Sequence, residues 1–332
     1  MNPGQSIKFD NIPSDTISEI AFNNNLQNPL VCASSWDNSL TLWRLVPQGN
    51  NIPQVQYLTK INHTTAKDAI LRCTFNPDNS IFYGTASGMV MQLKNGENNP
   101  TSIGKHSGII SGVHWCQNQS LLVTGSLYDF KLNFWDIRDT SKPANTIDLP
   151  AKCCALDTAG DSVVVATYAT EPKVHMVDMK QTTKSLSAKS TQLNSIITSI
   201  AISPDGKGYV ASSVNGAIET NLLGTGGKII PVHRAGDEVY SSNCVAVSNL
   251  PNKNIFMSGG SNGIIEFFNK DKGVKTTEKP MTTAKVPITA LAIMPGKNFY
   301  ACATGNDWSR GADEKSPPME MTLRMWSAKD SG

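Results

Sequence analysis

The chain has 332 residues, 39% of them hydrophobic and 17% charged, and its formal net charge of +2 leaves it almost neutral. That balance gives no broad basic field for nucleic acid, and no run approaches the ~18 apolar residues of a membrane helix. The opening MNPGQSIKFD lacks the basic and apolar regions of a signal peptide.

In chain order, SIKFDNI (6–12) comes first and reads as a strand with no partner nearby. ISEIAF, from about 17, opens a module completed by LVCASSWDNSLTLWRL (30–45). The module is an apolar strand, a polar turn, a small-residue strand ending in Ser, Thr or Gly, a second turn and a third strand. AILRCTF, from about 69, with IFYGTASGMVMQLK (81–94), repeats it without the Asp and the Trp. ISGVHW, from about 110, and LLVTGSLYDFKLNFWDI (121–137) give the cleanest copy. There Asp129 precedes Trp135 by six positions, as Asp37 precedes Trp43, and a His-Ser-Gly turn (106–108) lies upstream.

Weaker copies follow: KCCALD with VVVATYATEPKVHMVDM (163–179), and ITSIAIS with GYVASSVNGAIETNLL (208–223). CVAVS with IFMSGGSNGIIEFFN (255–269) comes next, and ITALAI with FYACATG and MTLRMW (299–326) is the seventh. Asn-Gly in two of these suits a tight hairpin turn. A spacing of roughly 40–50 residues matches four strands per propeller blade. The expected fold is therefore an all-β, seven-bladed WD-repeat propeller, a single domain over 1–332. Its last blade lacks an outer strand, and only a short tail (327–332) follows. Residues 6–12 are expected to supply that strand and latch the ends together, since an open ring would leave a bare sheet edge.

In WD-repeat proteins such Asp, His, Ser/Thr and Trp side chains hydrogen-bond to one another and stiffen a blade. His106, Thr124, Asp129 and Trp135 read as that network in blade three, with Asp37 and Trp43 as blade-one counterparts. The same assignment accounts for His106 and Asp129 beside Ser126, which would otherwise suggest a hydrolase. Neither a GxSxG elbow nor an HExxH motif is present, so no catalytic residue is expected. A propeller enzyme would need acidic and polar side chains converging on the central channel, and the strands show no such repeated set. His63, His114 and His175 are isolated and read as structural. Cys32, Cys73, Cys116, Cys153, Cys154, Cys244 and Cys302 show no CxxC or Cys/His ligand spacing. They read as small buried hydrophobes in a reducing, nuclear or cytosolic compartment. No metal, cofactor or small-molecule substrate is expected.

Three features exceed what a blade needs: Trp36 directly after a strand, the charged link PVHRAGDEVYSSN (231–243), and the long polar loop 305–320 with Trp308 and Arg310. Exposed aromatics and arginines on loop ends are the makings of a binding hot spot. At these residues the chain resembles the Rae/Gle mRNA-export family of the nuclear pore and, less closely, its sister, the Bub-type mitotic checkpoint propellers. SDTISEIAF with LVCASSWDNSLTLW resembles the family's first blade, and NFWDIR with LPAKCCALD its passage from blade three to four. VHR (232–234) is similar to the family's Cys-His-Arg, and NDWSRG to the export factor's Tyr-Asp-Trp-Ser-Lys-Gly, where the checkpoint sister has a different acidic loop. The family's blade three carries a Trp where this chain has Leu127-Tyr128.

The resemblance implies a scaffold that binds a GLEBS motif, which presents adjacent glutamates, on its top face. That motif belongs to a Phe-Gly-repeat nucleoporin, or to checkpoint kinases in the sister family. Arg234 inherits the pairing with the glutamates. Trp36 and Trp308 would be aromatic anchors and Arg310 a second cation, with His233 and Asp307 in the same segments. RNA contact is expected only within the complex. The implied location is the nucleus, at the nuclear pore in the nuclear envelope, and also the cytoplasm.

Overall fold

The strands found in this computed structural model, which describes residues 6–49, 51–63, 67–181, 186–189, 191–206, 208–222, 226–250, 254–276, 281–282, 285–311 and 317–326, form seven antiparallel sheets and one short hairpin. Six sheets have four strands, and the sheet of blade six has its outer edge split between two short ones. The tail (327–332) and residues 312–316 of the long loop lie outside the described residues. The leading strands are Ile17–Phe22, Ile70–Phe75, Ile110–Cys116, Lys152–Ala159, Ile197–Ile202, Ser242–Val247 and Ile288–Ile293. Each begins within two residues of the position expected from the repeat.

Seven apolar clusters make up the core, one in each seam between neighbouring sheets. The core is thus a ring of thin layers, and every blade depends on both neighbours. This explains the small residues near the end of each second strand. Ser34, Gly84, Gly125, Ala166, Ser212, Gly259 and Ala303 hold equivalent ladder positions. The next blade's leading strand packs directly on them: a Cβ at Gly125 would fall 2.6 Å from the Cys153 sulfur, and one at Gly84 2.4 Å from Ile110. Every leading strand also carries a register shift, a bulge that aims one extra side chain toward the top of the channel. Of the seven free cysteines, six are buried and Cys154 is partly exposed.

The ring closes through its N-terminus. Ser6–Lys8 pairs antiparallel with the last strand, Glu320–Met325, in the register Ser6↔Arg324, Ile7↔Leu323 and Lys8↔Thr322. Phe9 continues the ladder through its N–H to the Met321 carbonyl at 2.9 Å. The outer strand is shorter than the 6–12 expected, because the chain then turns inward to blade one. There the Phe9 ring meets Trp43 edge-on at 5.1 Å, and the Trp43 indole donates to the Asp10 carbonyl at 2.8 Å.

Candidate functional site

Blade three carries the side-chain network in full. His106 sits between Asp129 (Nδ1, 2.7 Å) and the Thr124 hydroxyl (Nε2, 2.8 Å), which also accepts from the Trp135 indole at 2.8 Å. Ser126 is no part of it; its hydroxyl donates to the Gly108 carbonyl. Blade one departs from this pattern. Ala33 stands where Thr124 does, so Trp43 has no hydroxyl to bond and turns to the N-terminal segment. Asp37 instead accepts from Ser14, Ser39 and Lys60, and these hold its carboxyl well below the usual carboxylate range despite burial. The expected blade-one pair therefore serves two separate contacts.

The central channel corrects a sequence expectation, because acidic and polar groups do converge there. Glu19, Arg72, His114 and Asp157 all line it. They occupy alternate positions after the bulge, which point inward by the two-residue period of a strand. The residue types differ from blade to blade, so no repeated set was visible. Each group is already engaged with a neighbouring blade. Glu19 accepts from the Cys73 N–H at 3.0 Å, and Arg72 donates to the Ser111 carbonyl at 2.8 Å. His114 lies 3.2 Å from Asp157, which accepts from the Ile202 N–H at 2.9 Å. Thr198 to Ser242, Asn243 to Ile288 and Thr16 to Asn306 complete the circuit of seams. The channel groups thus stitch exposed backbone edges across the blades.

Histidine protonation divides along the same lines. Burial pushes His63, His106, His175 and His233 below the ordinary imidazole value, His233 to about 4. Burial also opposes charging of His114, but the carboxylates of Asp157 and Glu19 outweigh it and raise its pKa, against the nearby Arg72. The signs are therefore opposite. His233 gives stability that is present above the unfolded value of 6.5 and lost as pH falls toward 4. His114 gives stability that is full below 6.5 and lost as pH rises through its folded pKa. In denaturant melts, His114→Gln should cost more at pH 6 than at pH 8.5. His233→Gln should cost more at pH 7.5 than at pH 4.5, by on the order of 2 kcal/mol. Parallel profiles for the two variants would contradict these assignments.

The top face, where second strands end and leading strands begin, gathers the unexplained residues. Of the ten exposed large apolar side chains among the described residues, seven are here: Trp36, Tyr128, Phe130, Ile196, Val214, Val239 and Trp308. Trp36 and Trp308 are 51% and 63% exposed and border one cleft of about 370 Å³ over the channel mouth. Leu71, Ile109 and Leu127 share its lining, and six of the seven bulge residues help to line it. Sequence reasoning missed Leu71, which read as an ordinary residue of the strand AILRCTF, and Ile109, which lies just ahead of ISGVHW; the bulge that turns Leu71 toward the mouth has no sequence signature.

Arg234 is not part of this cleft's lining; it is exposed on a separate top-face hairpin of Arg234–Ala235 with Glu238–Val239, just ahead of the leading strand of blade six, and its guanidinium makes no ion pair among the described residues. His233 is the foundation of that hairpin. Its ring is buried, with Nε2 2.7 Å from the Ser258 hydroxyl, the counterpart of the His106–Thr124 bond. It holds Arg234 up from below and presents no surface of its own. Arg310 is exposed and donates to the Lys285 carbonyl at 2.8 Å. Asp307 points inward, to Ser261 and Asn243 of blade six.

Comparison with known proteins adds an independent view. The WD domain, G-beta repeat family matches residues 98–136, which run from the outer strand of blade two through the first three strands of blade three and hold the full His–Asp–Thr–Trp network. Over 313 residues the chain is 26% identical to the Poly(A)+ RNA export protein of Schizosaccharomyces pombe, covering 90% of this chain and 84% of that one. It is 25% identical to the mitotic checkpoint protein bub3 of Dictyostelium discoideum, covering 92% and 90%. To the protein Rae1 of Drosophila melanogaster it is 23% identical, covering 96% and 92%. The chain is a seven-bladed WD-repeat propeller, similar along nearly its whole length to the mRNA export factors and to their mitotic checkpoint sisters.

Proposed function

We propose that this chain is a non-catalytic adaptor in mRNA export that holds a GLEBS-like segment of a Phe-Gly-repeat nucleoporin across its top face. The observation that carries this is the concentration of exposed apolar side chains on that face, with Arg234 and Arg310 beside them. A peptide with apolar residues and adjacent glutamates is complementary to both. Three acids of the face are engaged within the fold, Asp37, Asp129 and Asp307, which accept hydrogen bonds from their own or neighbouring blades, while Asp237 and Glu238 stay exposed on the Arg234 hairpin. The acidic half of such a peptide is read by Arg234 and Arg310 individually. The channel carboxylates and imidazole are committed to seams between blades, which supports a scaffold over an enzyme. Residence in the nucleus and at the pore, with passage through the cytoplasm, follows from the same reading, and RNA is met only within the complex.

A checkpoint role is the second reading, favoured by relatives of that name at nearly equal identity. The Asp-Trp-Ser-Arg-Gly stretch (307–311) weighs toward export, since it is the part in which the sister families differ. Affinity purification of the tagged chain with mass spectrometry separates them. A Phe-Gly-repeat nucleoporin is the expected companion; recovery of a checkpoint kinase alone would replace the export reading.

A further inference from the structure

Trp308 is held in an improbable conformation. Its φ is +61°, in the left-handed region that bulky side chains avoid, yet its indole is the most exposed large apolar group among the described residues. The local turn supplies part of the restraint. The Trp308 N–H donates to the Asn306 side chain at 2.9 Å, and Gly311, itself at φ +82°, donates back to the Trp308 carbonyl at 3.1 Å.

The rest of the restraint comes from Asp307. Its Oδ1 accepts from the N–H (3.1 Å) and the hydroxyl (2.6 Å) of Ser309. Its Oδ2 accepts from the Ser261 hydroxyl (2.5 Å) and the Asn243 amide (2.8 Å), both on blade six. Asn243 is fixed in turn, since it also donates to the Ile288 carbonyl at 3.0 Å. A carboxylate offers about four acceptor positions, and here four donors fill them. Burial alone would raise the Asp307 pKa, but the donors from Ser261, Ser309 and Asn243 outweigh it and hold the carboxyl below its usual range. This acid has no capacity left for a partner, and one facing an acidic segment would repel it.

We propose that Asp307 is a positioning residue: it clasps the blade-seven loop to blade six and so presents the Trp308 indole as a preformed anchor beside Trp36. The proposal rests on the top-face reading for its consequence in binding, and on the clasp geometry alone for its effect on Trp308. A preformed anchor spares the ordering cost of binding, so loss of the clasp weakens binding without removing a contact.

The test uses the full-length chain and a synthetic GLEBS peptide with adjacent glutamates. Asp307→Ala should weaken the peptide by about tenfold in the parent and by less than about twofold in a Trp308→Ala background. In the peptide-free protein, the Trp308 fluorescence, isolated by subtracting a Trp308→Phe variant, should become more readily quenched by acrylamide in Asp307→Ala. The global melt serves as the control for folding. An Asp307→Ala loss undiminished in the Trp308→Ala background would overturn the proposal, as would unchanged quenching. If the parent fails to bind the peptide but quenching still responds to Asp307→Ala, the clasp stands and the partner assignment fails.

Discussion

Removal of residues 1–12 is expected to lower the melting temperature by on the order of 10 °C. The argument is the geometry of the latch. Three ladder pairs and the Phe9 amide bond close the outer edge of blade seven. Phe9 is 5% exposed and packs in the same cluster as Trp43, Leu45, Met321 and Leu323. A buried Phe reduced to Ala typically costs roughly 3–5 kcal/mol. Deletion adds the loss of Asp10 as acceptor for the Trp43 indole, and a buried donor left unpaired costs about 1–3 kcal/mol more. The Lys8–Glu320 pair contributes little by comparison, because both side chains are exposed. A ring has no other place to take up the slack: the seam between blades seven and one would open on one side. Phe9→Ala in the intact chain should reproduce about half of the effect. An unchanged melt in the deletion would show that the termini are not what holds the ring.

That latch was legible in the sequence because it is a matter of counting: seven leading strands, six complete blades and one leftover segment. The blades were legible for a related reason. A strand that must lie flat on its neighbour has to be small at one position, and Ser34, Gly125, Ser212 and Gly259 show that requirement as composition. The Asp-to-Trp spacing was legible too, but its meaning depended on a third residue. Thr124 links His106 to Trp135, whereas Ala33 leaves Trp43 to find the Asp10 carbonyl.

The channel was not legible, and the reason is physical. What the seams require is a side chain able to reach the next blade's backbone, and many types satisfy that. Glu19 meets an N–H, Arg72 a carbonyl, and Asn243 a carbonyl through its amide. One structural task met by unlike residues leaves no motif. The top face lay between these cases. Trp36, Trp308 and Arg234 stood out because nothing in a blade needs them, while Leu71 was hidden inside a strand and looked like core. His233 and Asp307 were flagged by position in the right segments; the structure buries the His233 ring and turns the half-buried Asp307 carboxylate onto blade six, each holding the neighbour that is exposed.

Arg234→Glu should reduce affinity for a GLEBS peptide at least tenfold, about 1.4 kcal/mol, with the melting temperature unchanged. The two halves rest on different observations. The fold is expected to be indifferent because Arg234 is exposed, makes no ion pair among the described residues, and contributes only backbone pairing with Val239. Glutamate keeps that pairing. Binding is expected to respond because a carboxylate meeting a desolvated guanidinium gains roughly 1.5–3 kcal/mol, and reversal replaces that gain with repulsion. Arg234→Ala isolates the first term, so it should fall between the parent and the reversal. Salt adds a further check: the gap between parent and Arg234→Ala should narrow as ionic strength rises, since exposed charges are screened over about 8 Å at physiological salt. Arg310 is the comparison. Its guanidinium is partly occupied by the Lys285 carbonyl, so Arg310→Ala should cost less than Arg234→Ala. If Arg234→Glu binds within tenfold of the parent, the acidic half of the peptide is read elsewhere on the face, and the hairpin that His233 supports is there for another reason.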